Sequence, residues 1–228
     1  MMRFFQFYFG LMLVLVSLNS NAALQSGTVL VFDDSELICA IGGVYPDCDL
    51  FETQIDPAGS WYGVDLPNDG VINSSDRSLL TKGLSGGLVL GETQTFGQID
   101  QPVQFLGLES SHIITTSVTV VNDLGLTKEL DFSGWKYDRG GLIFELGGNA
   151  SMGDTGLATI TCETIECANG ERFSLSYIAH LPSDFESGYN DMLYELNMVG
   201  TISAVPVPAA VWLFVSGLIG LFGFIKRK

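Results

Sequence analysis

Positive charge is scarce in this chain. Lys and Arg number 10 against 26 Asp and Glu, and His occurs only twice. Residues 23–204 hold every acidic residue but only Arg77, Lys82, Lys128, Lys136, Arg139 and Arg172 of the basic ones. A polyanion of this kind repels phosphate, which excludes nucleic acid and makes anionic membrane a poor partner. No phosphate-binding Gly loop, basic aromatic patch, internal repeat or long amphipathic helical pattern occurs, so nucleotide sites, solenoids and helix bundles are not expected. Cysteine is limited to 4 residues, in two local pairs, Cys39/Cys48 and Cys162/Cys167. The spacings, with His112 and His180 remote in sequence, fit a zinc site poorly. In an exported chain such pairs read as disulfides; three pairings are open, and the two local ones are expected.

Long apolar runs are confined to the ends. Met1–Ala22 has Arg3, an apolar stretch Phe4–Leu18, and the small residues Ser20-Asn21-Ala22, the layout of a secretory signal peptide. Near the other end, Ala209–Ile225 carries no charge and Lys226-Arg227-Lys228 follows. At about 1.5 Å per residue this segment as a helix just spans a bilayer, with the basic cluster inside. The expected organisation is a signal peptide over 1–22, an ectodomain over 23–204 and a tail over 205–228.

Val205-Pro206-Val207-Pro208-Ala209, the apolar helix and the terminal basic cluster together resemble the PEP-CTERM sorting signal in its Val-Pro-x-Pro-Ala variant. Val207 stands where the founding pattern has Glu between the prolines. The resemblance covers about a tenth of the chain. It implies a Gram-negative secreted protein recognised in the inner membrane by an exosortase, a cysteine transpeptidase that removes the tail and passes the protein to the cell surface or matrix. It also implies a context of exopolysaccharide and biofilm, and a single-pass membrane anchor before any cleavage.

The ectodomain reads as short strands punctuated by Gly, Asn, Asp and Pro, which predicts an all-β, β-sandwich or jelly-roll fold. Strands are expected at Gly27–Phe32, Glu36–Ile41, Val103–Leu108, Ile113–Val121, Lys128–Phe132, Trp135–Tyr137, Leu142–Leu146, Leu157–Cys162, Phe173–His180 and Met192–Ile202, with a turn at Arg139-Gly140-Gly141.

One stretch has metal-ligand spacing. In Asp65-Leu66-Pro67-Asn68-Asp69-Gly70-Val71-Ile72-Asn73-Ser74-Ser75-Asp76, acids stand at positions 1, 5 and 12 of a twelve-residue loop. Gly occupies position 6, Val71 offers its carbonyl at 7, and Asn73 stands at 9. Hard oxygens from Asp65, Asp69, Val71, Asn73 and Asp76 suit a weak, structural Ca²⁺, and Arg77–Lys82 would form exiting helical turns. The loop resembles the dockerin and EF-hand type, departing from it at Pro67 and in Asp76 rather than Glu.

Gly83-Leu84-Ser85-Gly86-Gly87 satisfies Gly-x-Ser-x-Gly, but the strand expected before it comes after it, so a serine-hydrolase elbow is disfavoured. No other catalytic constellation stands out. The chain therefore reads as non-enzymatic, a structural or adhesive surface protein. The alternatives are a carbohydrate-binding module, with Trp61, Tyr62, Trp135 and Tyr137 exposed together, or a hydrolase pairing Ser85 with His112 or His180.

Overall fold

The computed structural model describes residues 24–34, 37–39, 53–55, 58–66, 68–105, 107–182 and 190–204. The expected signal peptide, Cys48, Pro67 and the whole 205–228 tail lie outside the described residues. Among those described, strands dominate and the only helices are single 3₁₀ turns at Ser74–Asp76 and Ala150–Met152. No described helix is long and apolar enough to cross a membrane.

In chain order the strands are β1 (Val29–Phe32), β2 (Leu37–Cys39), β3 (Thr53–Ile55), β4 (Trp61–Val64) and β5 (Arg77–Leu79). Then come β6 (Leu88–Val89), β7 (Val103–Phe105), β8 (Leu108–Ile114), β9 (Val120–Asp123) and β10 (Thr127–Asp131). The last are β11 (Trp135–Arg139), β12 (Leu142–Glu145), β13 (Leu157–Cys162), β14 (Arg172–His180) and β15 (Leu193–Ser203). Among the described residues all pairings between strands are antiparallel.

The larger sheet runs β5-β4-β15-β14-β13-β10-β9, with β1 and then β6 beside the other half of β15. The eleven-residue β15 organises it: Tyr194–Asn197 pair with β4, Gly200–Ser203 pair with β1, and β14 lines its opposite edge. Gly200 permits this. A Cβ there would stand 2.1 Å from the Val31 carbonyl oxygen, so any side chain would push β1 away. A second sheet, β12-β11-β8-β7, shares one apolar core with the first.

Alternation explains which face is buried. Arg172–His180 strictly alternates exposed with buried residues, sending Phe173, Leu175, Tyr177 and Ala179 inward. Trp135, Tyr137 and Ile114 meet them from the second sheet, and Phe132 stacks near Tyr177 at 5.0 Å. Each large side chain so buried contributes about 1.5–3 kcal/mol.

Two local expectations are corrected. Ile113–Val121 is not one strand: β8 ends at Ile114 and β9 begins at Val120, in the other sheet. Between them Val118 is fully buried and its carbonyl accepts from the Gly91 N–H, so the branched run crosses the core instead of extending one ladder. Arg77–Lys82 forms no helical turn. Arg77–Leu79 is β5, returning along β4 with Gly63 opposite Arg77. The buried face of Trp61 and the pairing with β4 override the helical signal of the calcium-loop pattern.

Candidate functional site

Because β4 and β5 are paired, the Asp65–Asp76 loop is a long hairpin connection whose ends meet at its neck. Its carboxylates organise its own amides. Asp65 is fully buried; its Oδ1 accepts from the Asp69 N–H at 3.1 Å and its Oδ2 from the Gly70 N–H at 2.6 Å. The exposed Asp69 accepts from the Val71 N–H at 3.0 Å. Gly70 takes φ +84°, the left-handed conformation that favours glycine at this turn. Asn73 and Asp76 form a reciprocal capping box on the 3₁₀ turn, Asp76 accepting from the Asn73 N–H at 2.9 Å. Ile72 packs inward against Trp61, whose ring also carries the Arg77 guanidinium at 4.1 Å.

The donors expected for Ca²⁺ are thus in one loop, and each carboxylate retains lone pairs beyond the amide it accepts. Among the described residues no group of three or more His, Cys, Asp and Glu side chains is placed to hold a metal ion.

A second polar cluster lies at the centre of the core, and sequence reasoning missed it. His112, expected at a strand start, sits inside β8 and is fully buried. Its Nδ1 is 2.8 Å from Asp100 Oδ2 and its Nε2 is 2.9 Å from the Tyr194 hydroxyl. The Trp135 indole N–H donates to that same hydroxyl at 3.2 Å. The indole can only donate, so the Tyr194 oxygen accepts from it and its own hydrogen is free for His112 Nε2. The remaining hydrogen then belongs on Nδ1, donating to Asp100. Beside this chain, Tyr62 and Tyr137 hydroxyls are 3.1 Å apart. Burial, with the neighbouring Tyr137, pushes the Tyr62 phenol well above its usual pKa; burial does the same to Tyr194. The one sequence signal was a histidine within an apolar β run.

The other candidates are dispersed. Ser85 lies in the connection before β6, its N–H donating to the Gln98 carbonyl. Both ring nitrogens of His112 are engaged, by Asp100 and the Tyr194 hydroxyl. His180 ends β14 as expected, its Nδ1 held 2.8 Å from Asp154. Burial opposes ionisation of Asp154, but donors from Asn149 and His180 outweigh it and hold the carboxyl below its ordinary pKa. Trp61, Tyr62, Trp135 and Tyr137 are all buried, so they form no sugar-stacking platform.

Cys162 and Cys167 form the expected local disulfide, with S–S 2.06 Å. The Cys39–Cys48 pairing lies outside the described residues, as do Val205–Ala209 and Lys226–Lys228. No family model matches the chain, and neither a curated protein nor a solved structure matches it.

Proposed function

We propose that this chain is an exported surface or matrix protein, built on a β-sandwich of jelly-roll type and sorted by an exosortase through its C-terminal tail. Its role is structural or adhesive, linked to exopolysaccharide or biofilm. The observation that carries the reading is the tail itself: motif, apolar segment and basic cluster in that order. The motif follows the domain closely, since β15 runs to Ser203 and Val205 opens the motif.

The outer face of the larger sheet supports an adhesive role. Asn122, Glu129, Thr159, Ser176 and Asn197 form one row across five adjacent strands. Thr127, Thr161 and Ser174 form the next. Strands about 4.8 Å apart set these groups in a regular polar array able to hydrogen-bond sugar hydroxyls. Ca²⁺ is proposed as a weak structural cofactor of the Asp65–Asp76 loop, held by Asp65, Asp69, Asn73, Asp76 and the Val71 carbonyl. The dissociation constant expected for an extracellular module is roughly 10⁻⁴ to 10⁻³ M.

Mass spectrometry of protein recovered from the cell surface tests the sorting reading, and the expected species lacks Ala209–Lys228. Intact chain recovered only from the inner membrane would refute sorting and leave a plain anchor. For adhesion, Thr159→Val with Ser176→Ala removes hydroxyls at nearly constant shape. Co-sedimentation with exopolysaccharide should fall; equal binding by the variant would clear this face of the role.

A further inference from the structure

The end of the domain from which the tail leaves carries large apolar side chains in solvent. Leu124 and Leu126 flank Gly125 in the β9–β10 turn and are 65 % and 49 % exposed, and Ile165, in the β13–β14 connection, is 59 % exposed. They form one patch: an added Cβ on Gly125 would lie 4.0 Å from Ile165 Cγ2, and the Leu126 carbonyl accepts from the Cys162 N–H. The patch is braced from beneath. The buried Lys128 ammonium donates to the carbonyls of Gly125 and Ile165, at 3.1 and 3.0 Å, and to Asp123 at 2.7 Å. The Cys162–Cys167 disulfide closes the second loop.

The same connection holds the chain's exit. The Ala204 N–H donates to Asn169 at 2.9 Å, and the Gly170 N–H donates to the Ile202 carbonyl at 2.7 Å. From Ala204 to Ala209, where the uncharged apolar segment begins, five residues reach at most about 17 Å. With that segment in a bilayer, this end of the domain cannot stand far from the lipid. Apolar side chains on two braced loops, facing the nearest apolar phase, are the arrangement expected of an interfacial contact.

We propose that Leu124, Leu126 and Ile165 rest on a zwitterionic lipid surface while the tail is inserted. The docking holds the domain upright and sets the hairpin loop Asp65–Asp76, beyond the opposite end of β15, away from the membrane. Lipid charge is specified by the acidic side chains Glu163, Glu166 and Glu171 of the same connection, which disfavour an anionic surface. The inference rests on the reading of Ala209–Ile225 as membrane-inserted.

The test uses the full chain in phosphatidylcholine nanodiscs carrying brominated acyl chains, which quench nearby tryptophan. Trp212 of the unaltered chain reports insertion of the tail. Leu126→Trp and Ile165→Trp, each with Trp212→Phe, report docking, and Val71→Trp in the same background is the control at the far end. Trp61 and Trp135 are buried and add a constant signal. The expected result is quenching of Trp212 and several-fold stronger quenching at 126 and 165 than at 71. Quenching of Trp212 with equal signals at 126, 165 and 71 would overturn the docking while leaving the anchor standing. An unquenched Trp212 would remove the inserted tail and the docking with it. Docking should weaken in phosphatidylglycerol; undiminished quenching there would overturn the assignment to a neutral surface.

Discussion

Asp100 and His112 are joined twice. The His112 backbone N–H donates to Asp100 Oδ1 at 2.9 Å while the imidazole Nδ1 stands 2.8 Å from Oδ2. The Ser111 hydroxyl donates to the same carboxylate at 2.9 Å. One aspartate, 1 % exposed, thereby satisfies three donors in the interior. Asp100→Ala leaves the His112 backbone N–H and Nδ1 unpaired, while the Ser111 hydroxyl keeps the backbone carbonyls of Asp100 and His112 within reach, and should cost about 3–5 kcal/mol in urea denaturation. Tyr194→Phe strands the Trp135 indole N–H and His112 Nε2, and should cost about 1–3 kcal/mol. Losses of only a few tenths would show that the network contributes little.

Alkaline pH should unfold the domain from the same centre. Burial raises the phenols of Tyr62, Tyr137, Tyr177 and Tyr194 above the ordinary tyrosine value of about 10. Unfolded tyrosines lose their protons near pH 10, and the folded ones hold theirs to higher pH. Stability is therefore complete below pH 10 and declines above it, by about 1.4 kcal/mol per pH unit for each tyrosine. Absorbance at the phenolate band should rise cooperatively with the loss of folded structure. Independent titration of these residues near pH 10 in a folded domain would contradict the argument.

Lys128 links the turn after β9 to the disulfide loop through one buried ammonium. Lys128→Met keeps the stem and removes the charge, and should cost about 1.5–3 kcal/mol, the range for hydrogen bonds to charged groups. Hydrogen exchange should rise at Gly125 and over 163–167 and stay unchanged in β4 and β5. Asp123→Asn should have little effect, because the two carbonyls remain. Lost protection throughout the domain would mean that Lys128 supports the fold generally.

Legibility along the chain follows the range of the forces involved. Leu157–Cys162 and Phe173–His180 were readable because period-two alternation is local, and the turn at Arg139-Gly140-Gly141 because glycine marks it. The break after Ile114 was not, because branched residues signal β structure whether they continue a ladder or cross the core, as Val118 does. The helical reading of Arg77–Lys82 failed for a related reason: a loop motif carries no record of the strand beside it. Asp100, His112 and Tyr194 meet only when the sheets pack, the last two at a sequence separation of 82. The loop's candidate donors were legible as residue types, while their attachment to the loop's own amides was not.

That attachment separates two roles for the aspartates of Asp65–Asp76. Asp65 is buried and ties the Asp69 and Gly70 amides, so Asp65→Ala should lower stability by about 1–3 kcal/mol with or without calcium. Asp69 is exposed and accepts one local amide, so Asp69→Ala should leave the melting temperature in chelator almost unchanged. The same variant should abolish the calorimetric signal and the rise in melting temperature that millimolar calcium gives the unaltered chain, by mass action on the folded state. If millimolar calcium produces neither heat nor stabilisation, the loop is a self-capped hairpin connection, and its three aspartates serve its amides alone.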